Sequence, residues 1–237
     1  MLTWRHRVSE WIRRHDSHIN WLQEMKLRTK DLHRLKVKRW EKNIPSKQTW
    51  KIKAGRVLLA SEKINFNTKA KKRDKGRHYI ILKVTIYQED ISLINIYAPN
   101  IVAPKYVRKI LMDFNKDIDS NILIVGDFYT WLSSMDRSSK QRINEDIVAL
   151  NNILDQVALM DVHRTFHSKE AKYTVYSNAH GTFSKIDHMI NHKISLNKLK
   201  NTEIISSIFL DHNGLKLETN LQEKTQKQNH GNWITCY

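Results

Sequence analysis

Acidic side chains and histidines recur in this sequence where apolar, strand-like segments end. Asp127 follows an unbroken apolar run through Gly126, which is the pattern of a strand covered on both faces. Strand ends and the adjoining loops are where scaffolds usually present reactive groups. The positions of this kind are Glu24, Asp127, Asp187 with His188, and Asp211 with His212. Carboxylates that can hold a hard divalent cation beside an imidazole would suit metal-dependent hydrolysis of a phosphodiester.

Each of these positions also has a simpler interpretation. An Asp after Gly is most often a turn residue, and an isolated Asp-His pair is most often exposed polar surface. The GxxxxGK[ST], GxGxxG, HExxH and CxxC patterns are absent from the sequence, so nucleotide-loop, dinucleotide and zinc functions lose support. Taken one at a time, the acidic positions therefore do not decide the function.

The charge balance indicates a polyanionic partner. The chain has 237 residues, with 41 Lys+Arg against 24 Asp+Glu, a net charge of +17 and a pI near 9.9. Nucleic acid and an anionic membrane surface both fit such a charge. A cluster of six basic residues between positions 69 and 77, expected on a loop, could contact phosphate or serve as a nuclear address.

Other features of the composition point to a nuclear or cytoplasmic protein. The single cysteine, Cys236, excludes an internal disulfide, and no disulfide-linked partner is expected. The longest uncharged run, residues 91–104, is too short for the roughly 20 apolar residues of a membrane helix. The first residues carry charges where a secretory signal would need an apolar core. We therefore expect neither a membrane span nor a signal peptide, while the oligomeric state stays open.

Apolar periodicity predicts helices that interleave with many strands. Helical stripes cover residues 3–15, 107–118 and 143–157, and strand-like segments cover residues 78–87, 91–97, 122–125, 173–177, 182–190, 204–208 and 215–217. Such alternation indicates a layered α/β or α+β sandwich. The predicted domain spans residues 1–222, and residues 223–237, which are polar and nearly aperiodic, are predicted to form a disordered tail.

Five motifs, taken together and in this order, resemble one family. They are Leu93-Ile94-Asn95-Ile96-Tyr97-Ala98-Pro99-Asn100, Ile124-Val125-Gly126-Asp127-Phe128, Tyr173-Thr174, Ser184-Lys185-Ile186-Asp187-His188 and Asp211-His212. The chain is similar to the endonuclease/exonuclease/phosphatase superfamily. More narrowly, it resembles the apurinic-like endonuclease domain of the long interspersed element (non-LTR) retrotransposon polyprotein. The resemblance implies a DNase I-like, four-layer sandwich of two packed β-sheets flanked by helices, which nicks DNA with Mg²⁺ or, alternatively, Mn²⁺.

The resemblance also assigns roles to individual residues. Glu24 would be a metal ligand, and Asp211 would lie by the metal. Asp127 would position or deprotonate the attacking water. His212, oriented by Asp187, would stabilise charge on the phosphoryl oxygens. The remaining matches are Tyr97 and Asn100 beside the phosphate, and Thr174, Ser184 and Arg137 near the DNA backbone.

The sequence departs from the family pattern at several positions. The opening strand of the family, which carries an active-site Asn, is expected to be missing, and its loss would leave sheet edges unpaired. Tyr129 replaces an Asn that positions phosphate, Trp131 replaces a Pro, and Leu210 replaces a Ser. Losing one transition-state donor typically costs about 10²-fold to 10³-fold in rate. Three functions therefore remain open: an impaired DNA-nicking endonuclease, a remnant that binds nucleic acid without cutting it, and a phosphatase or lipid phosphoesterase.

Overall fold

The computed structural model describes residues 4–23, 49–52, 56–61, 64, 66–74, 76, 78–114, 120–139, 142–207, 212–220 and 232–236 of the chain. Its helices are α1 (Trp4–His15), α2 (Ala103–Phe114), α3 (Glu145–Gln156) and α4 (Val162–Phe166). Its strands are β1 (Ile19–Leu22), β2 (Thr49–Ile52), β3 (Arg56–Ala60), β4 (Phe66–Arg73), β5 (Tyr79–Ile86), β6 (Glu89–Tyr97), β7 (Ile122–Asp127), β8 (Leu159–Asp161), β9 (Val175–Ser177), β10 (Thr182–Ser184), β11 (Asp187–His192), β12 (Leu199–Ile205), β13 (Gly214–Thr219) and β14 (Asn232–Cys236). Within these ranges, no helix is long and apolar enough to cross a membrane.

Two six-stranded sheets form the body of the protein. The first sheet has the order β12-β13-β14-β1-β3-β2, and the second has the order β4-β5-β6-β7-β11-β8. One hydrophobic cluster joins the facing surfaces of the sheets, with Leu58 and Leu215 from the first and Leu82 and Met189 from the second. This architecture confirms the predicted sandwich of two packed sheets flanked by helices.

The outer face of the second sheet is covered by α2 and α3. Their apolar stripes, which include Val107 and Leu150, bury themselves against Ile94 and Ile124 of the sheet. The strand β7 is therefore covered on both faces, and all six of its residues are buried. This is the arrangement that its unbroken apolar run predicts.

The C-terminal strand β14 lies at the centre of the first sheet. It pairs in parallel with β1, where Ile19 is opposite Ile234, and antiparallel with β13, where Leu217 is opposite the same residue. Ile234, Thr235 and Cys236 are buried. The prediction of a disordered tail over residues 223–237 is therefore wrong for residues 232–236, since a strand with partners on both sides is ordered by two ladders of backbone hydrogen bonds. The other residues of that predicted tail lie outside the described part of the chain.

The basic cluster predicted on a loop lies mainly on the edge strand β4. Its residues 69–73 are exposed, and Lys69 pairs with Asp90 at 2.7 Å. Lys72 lies over the ring of Phe114, 5.3 Å from its centroid. Charged side chains on an edge strand discourage pairing with another chain, so the cluster has a structural role whether or not it contacts phosphate.

A buried histidine makes the fold sensitive to acid. Burial, and then the charge of Lys185, lowers the pKa of His163 from 6.5 to about 4. Both ring nitrogens lack a hydrogen-bond partner within the described residues. Between pH 6.5 and 4 the unfolded chain binds more protons at this position than the folded chain does. The contribution of His163 to stability is therefore complete above pH 6.5 and is lost as the pH falls towards 4.

We expect His163→Phe to remove part of this acid sensitivity. At about 1.4 kcal/mol per pKa unit, the wild-type chain should lose roughly 2 to 3 kcal/mol from this residue between pH 7 and 4.5. Urea unfolding at the two pH values measures the difference, with the exposed His180→Asn variant as the control. Equal losses of stability in His163→Phe and in the control would contradict the assignment.

Candidate functional site

At one end of the second sheet, two neighbouring strands finish and a third begins, each with a polar side chain. In the strand register, Tyr97 at the end of β6 is opposite Asp127 at the end of β7, which is opposite Asp187 at the start of β11. Both carboxylates are buried, with 2% of Asp127 and 5% of Asp187 exposed. The pairing of the strands therefore brings together three of the predicted site residues.

The side chain of His212 completes this group. Its Nδ1 lies 2.9 Å from Oδ2 of Asp187, which orients the ring as the resemblance implies. The backbone of His212 forms an isolated β-bridge with Val175, and the amide of Asn213 donates to the carbonyl of Thr174. The segment that contains His212 is thus fixed against the β9–β10 hairpin.

Thr174 links the hairpin to the start of β11. Its Oγ1 accepts hydrogen bonds from the backbone amides of Ile186 at 3.1 Å and Asp187 at 3.4 Å, and its own amide donates to the carbonyl of Ser184. Thr174 is fully buried. In this structure the side chain of Thr174 therefore supports the backbone of Asp187.

Asp127, Asp187 and His212 form a possible metal site. One ligand atom from each lies within 4.8 Å of the others. The two carboxylates supply the hard oxygen donors that Mg²⁺ and Mn²⁺ prefer, whereas an imidazole suits softer cations, so the carboxylates are the part of this group that fits such an ion. The predicted metal ligands Glu24 and Asp211 lie outside the described residues, as does Leu210. Those three predictions therefore remain predictions.

The thiol of Cys236, in β14, is buried in the hydrophobic cluster between the two sheets, which also contains Val125 and Met189. Burial, and then the carboxylates of Asp187 and Asp127, raises the pKa of this thiol.

Gln23 connects the two sheets at the site, a role that no local sequence pattern predicts. Its Nε2 donates to the carbonyl of Ile96 and its Oε1 accepts from the amide of Asp127, both at 3.3 Å. Gly126 makes room for it. A Cβ at Gly126 would lie 1.9 Å from the carbonyl oxygen of Ile96, and its φ of +139° favours glycine. Glycine at position 126 is therefore required both by close packing and by its backbone conformation.

Tyr129 lies directly beside Asp127 in an unfavourable backbone conformation. Its φ is +49°, a region that Asn tolerates better than a bulky aromatic residue. Its amide donates to Oδ1 of Asp127 at 2.8 Å. The ring packs edge-on against Tyr97, with 5.8 Å between centroids. Tyr129 thus contacts two of the predicted site residues, Asp127 through its backbone and Tyr97 through its ring.

Of the predicted DNA-binding residues, Arg137 and Ser184 lie on the Asp187 side of the site with exposed surface, whereas Thr174 is fully buried, so the prediction of a direct contact with DNA is wrong for its side chain. The backbone of Arg137 bridges to Ser184, and the guanidinium lies over the ring of Trp131 at 4.6 Å. Beyond them, the rings of Tyr176 and Phe183 are 4.6 Å apart and about half exposed. Asn100 begins a short 3₁₀ turn after β6 and is exposed. The positions other than Thr174 are compatible with the predicted contacts to DNA, which the structure does not test.

His188 has a structural role, unlike its neighbour Asp187. It is fully buried, its Nδ1 lies 2.6 Å from Oδ2 of Asp161, and its Nε2 lies 2.9 Å from the carbonyl of Thr130. Lys185 is also fully buried and binds the same Asp161 oxygen at 2.5 Å. Burial raises the pKa of Asp161, but Lys185 and His188 together outweigh it, and the net pKa falls well below the usual range. This buried ion cluster, formed by Asp161, Lys185 and His188, holds the segment after Asp127 in place through the contact of His188 with the carbonyl of Thr130.

Comparison with known structures defines the class of fold. No protein-family model matches the sequence. An AP endonuclease from Archaeoglobus fulgidus is 19% identical, with a TM-score of 0.65 over 92% of this chain and 94% of that one. The 3′ phosphatase NExo from Neisseria, bound to a product DNA hairpin, is 16% identical, with a TM-score of 0.66 over 91% of this chain and 94% of that one.

A third structure comes from a mobile element. The endonuclease domain of TRAS1, a telomere-specific non-LTR retrotransposon, is 10% identical, with a TM-score of 0.62 over 92% of this chain and 93% of that one. At such identities the likeness concerns the fold. The chain therefore has the same DNase I-like fold as these three proteins, as its motifs predict.

Proposed function

We propose that this chain binds DNA and hydrolyses a phosphodiester bond in one strand, as a nicking endonuclease of retrotransposon type. The observation that carries this proposal is the cluster of Asp127, Asp187 and His212 at one edge of the sandwich. Solved structures of the same fold are described as an AP endonuclease and a retrotransposon endonuclease domain. Tyr129 reduces the rate in this sequence, because a phenol stands where a phosphate-positioning amide is expected.

The roles of the residues follow from their chemistry. Asp127 accepts the proton of the attacking water as a new P–O bond forms and the P–O bond to the leaving group breaks. His212 donates a hydrogen bond from its ring to the oxygens on which negative charge grows. Asp187 holds that ring by its Nδ1. Tyr97 and Asn100 lie on the opposite side, beside the phosphate.

A divalent cation completes the proposed chemistry. Mg²⁺, or alternatively Mn²⁺, would be held by Glu24, with Asp211 beside it, next to the carboxylates of Asp127 and Asp187. When bound, such a cation polarises a phosphoryl oxygen and neutralises part of the charge of the phosphate. The same cation would reduce the repulsion between the two buried carboxylates.

DNA is the proposed substrate because the chain has a high positive charge and because similar solved structures contain DNA. A net charge of +17 favours a polyanion through release of its counterions. Two solved structures with this fold are described as bound to a product DNA hairpin and to a single-stranded DNA product. These observations favour DNA over a lipid or small phosphoester.

A second function, binding of DNA without cleavage, is favoured by Tyr129. Its ring contacts Tyr97, a residue that the resemblance places beside the phosphate. If the phenol prevents the phosphate from reaching Asp127, the positive charge would still retain the chain on DNA. The two functions share a substrate and differ only in turnover.

Nicking that depends on both Asp127 and His212 is the expected result. Asp127→Ala should lower the rate about 10²-fold to 10⁴-fold, because it removes the proton acceptor. His212→Asn should lower it about 10²-fold to 10³-fold. The measurement is single-turnover cleavage of an end-labelled duplex in Mg²⁺.

His192→Asn is the matched control. This histidine lies at the other end of β11, where it caps a short helix, and Asn is a good cap. Binding of the duplex by each variant is measured in parallel by fluorescence anisotropy. Cleavage that survives Asp127→Ala would contradict the proposed site, and binding without cleavage by the wild-type chain would establish the second function instead.

A further inference from the structure

The guanidinium of Arg137 is not paired with a carboxylate anywhere in the described part of the chain. The neighbouring Asp136 does not compensate it, because its carboxylate binds Arg164 and accepts from the amides of Leu132 and Ser133. The Nε of Arg137 is buried without a hydrogen-bond partner among the described residues. An arginine held this way leaves its terminal nitrogens as the donors for an anion.

Trp131 holds this guanidinium from one face. The centre of the guanidinium lies 4.6 Å from the centroid of the indole. Such cation–π contacts are favourable and become stronger as the cation loses water. They also restrict the positions that the guanidinium can adopt.

The backbone is anchored on both sides of Trp131. The carbonyl of Thr130 lies 2.9 Å from Nε2 of His188, within the buried ion cluster. The amide of Leu132 donates to Oδ2 of Asp136 at 3.1 Å, and its carbonyl accepts from Nδ2 of Asn151 at 2.8 Å. The backbone that carries the indole is thus held in place on both sides.

The Trp131–Arg137 pair is connected to the proposed active site. Arg137 bridges to Ser184 through the backbone, and the carbonyl of Ser184 accepts from the amide of Thr174. Thr174 in turn accepts from the amide of Asp187. Three short links therefore fix the position of the pair relative to Asp187.

We propose that Trp131 is a positioning residue that holds Arg137 ready to bind a phosphate of the DNA backbone beside the active site. This inference rests on the proposed DNA substrate and adds one way in which the chain binds its backbone. An unsupported arginine loses rotamer freedom when it binds phosphate, whereas a stacked one has already lost it. Trp131 stands where the resemblance implies a Pro, so the support belongs to this sequence.

Binding of a fluorescent duplex, with chelator present to prevent cleavage, tests the proposal. Arg137→Gln should weaken binding and lower the slope of log affinity against log salt by about 0.9, the value for one phosphate contact. Trp131→Ala should weaken binding about 3-fold to 30-fold and leave the slope unchanged, because the arginine remains. Trp131→Phe, which keeps an aromatic face, should recover most of the loss.

The double variant separates positioning from a direct contact. If Trp131 acts through Arg137, Trp131→Ala combined with Arg137→Gln should bind no more weakly than Arg137→Gln alone. The proposal would be overturned if the losses of affinity of the two single variants multiplied in the double variant. It would also be overturned if Trp131→Ala bound the duplex as tightly as the wild-type chain does. Circular dichroism melting confirms that each variant is folded. An unchanged salt slope in Arg137→Gln would also refute the proposal, while failure of the wild-type chain to bind at low salt would refute the DNA substrate itself.

Discussion

Replacing Tyr129 with asparagine is expected to raise the nicking rate about 10²-fold to 10³-fold, the value of one donor to a transition state. The substitution places an amide beside Asp127, where the resemblance implies a group that positions phosphate. It removes a ring that contacts Tyr97. It also suits the backbone, since Asn tolerates the φ of +49° at this position better than Tyr does.

Two further substitutions separate these effects. Tyr129→Phe keeps the bulk of the ring and should leave the rate at the wild-type level. Tyr129→Gly opens the site and relaxes the backbone but supplies no amide, so it should recover only part of the gain. Conversion of supercoiled plasmid to nicked circle measures all three variants. Equal rates for the Asn and Phe variants would show that Tyr129 is not what limits the chemistry.

Removal of the C-terminal strand is expected to abolish cooperative folding. A chain that ends at residue 230 loses β14, which separates β1 from β13 and pairs with both. Burial of a side chain such as Ile234 contributes about 2 to 3 kcal/mol, and each of the two ladders adds its own hydrogen bonds. Against a typical domain stability of about 5 to 15 kcal/mol, the combined loss removes most or all of it. Thermal melting followed by circular dichroism measures the effect.

A synthetic peptide provides the control for this truncation. A peptide of residues 230–237 should restore a cooperative transition when added to the truncated chain, by pairing as β14 does. The same peptide with Thr235→Pro should fail, because proline removes a donor from the centre of a paired strand. The side chain of Thr235 is buried and hydrogen-bonds to Ser17, so both its backbone and its side chain are used. A truncated chain that melts like the full one would contradict the central position of β14.

Local sequence patterns predicted the part of the site that lies on one buried strand. The apolar run 122–125 followed by Gly126 and Asp127 indicates a covered strand with a polar end, and Asp127 lies there. The pairing of Asp187 with His212 is a contact between residues 25 positions apart. No local pattern specifies such a contact, and it came from the order of the motifs and the resemblance they carry.

The features that sequence could not supply depend on distant packing. β14 is short and follows a polar stretch, so its periodicity is weak, and its parallel partner β1 is more than 200 residues away. A missing opening strand was expected to leave neighbouring strands of a sheet without a partner. At the described centre of the first sheet this is not so, because β14 pairs with β1 on one side and with β13 on the other. The sequence marked Tyr129 as too large for an Asn position, but its positive φ and its contact with Tyr97 required coordinates. The bridge made by Gln23 and the stack of Arg137 on Trp131 likewise follow from how the elements meet.

The metal dependence of plasmid nicking tests the proposed function most directly. The purified full chain is incubated with supercoiled plasmid in Mg²⁺, in Mn²⁺ and with chelator, beside the Asp127→Ala variant. The proposed site predicts slow conversion to nicked circle that needs the cation and disappears in the variant. Nicking that continues in chelator, or that Asp127→Ala leaves intact, would contradict a phosphodiesterase centred on Asp127, Asp187 and His212.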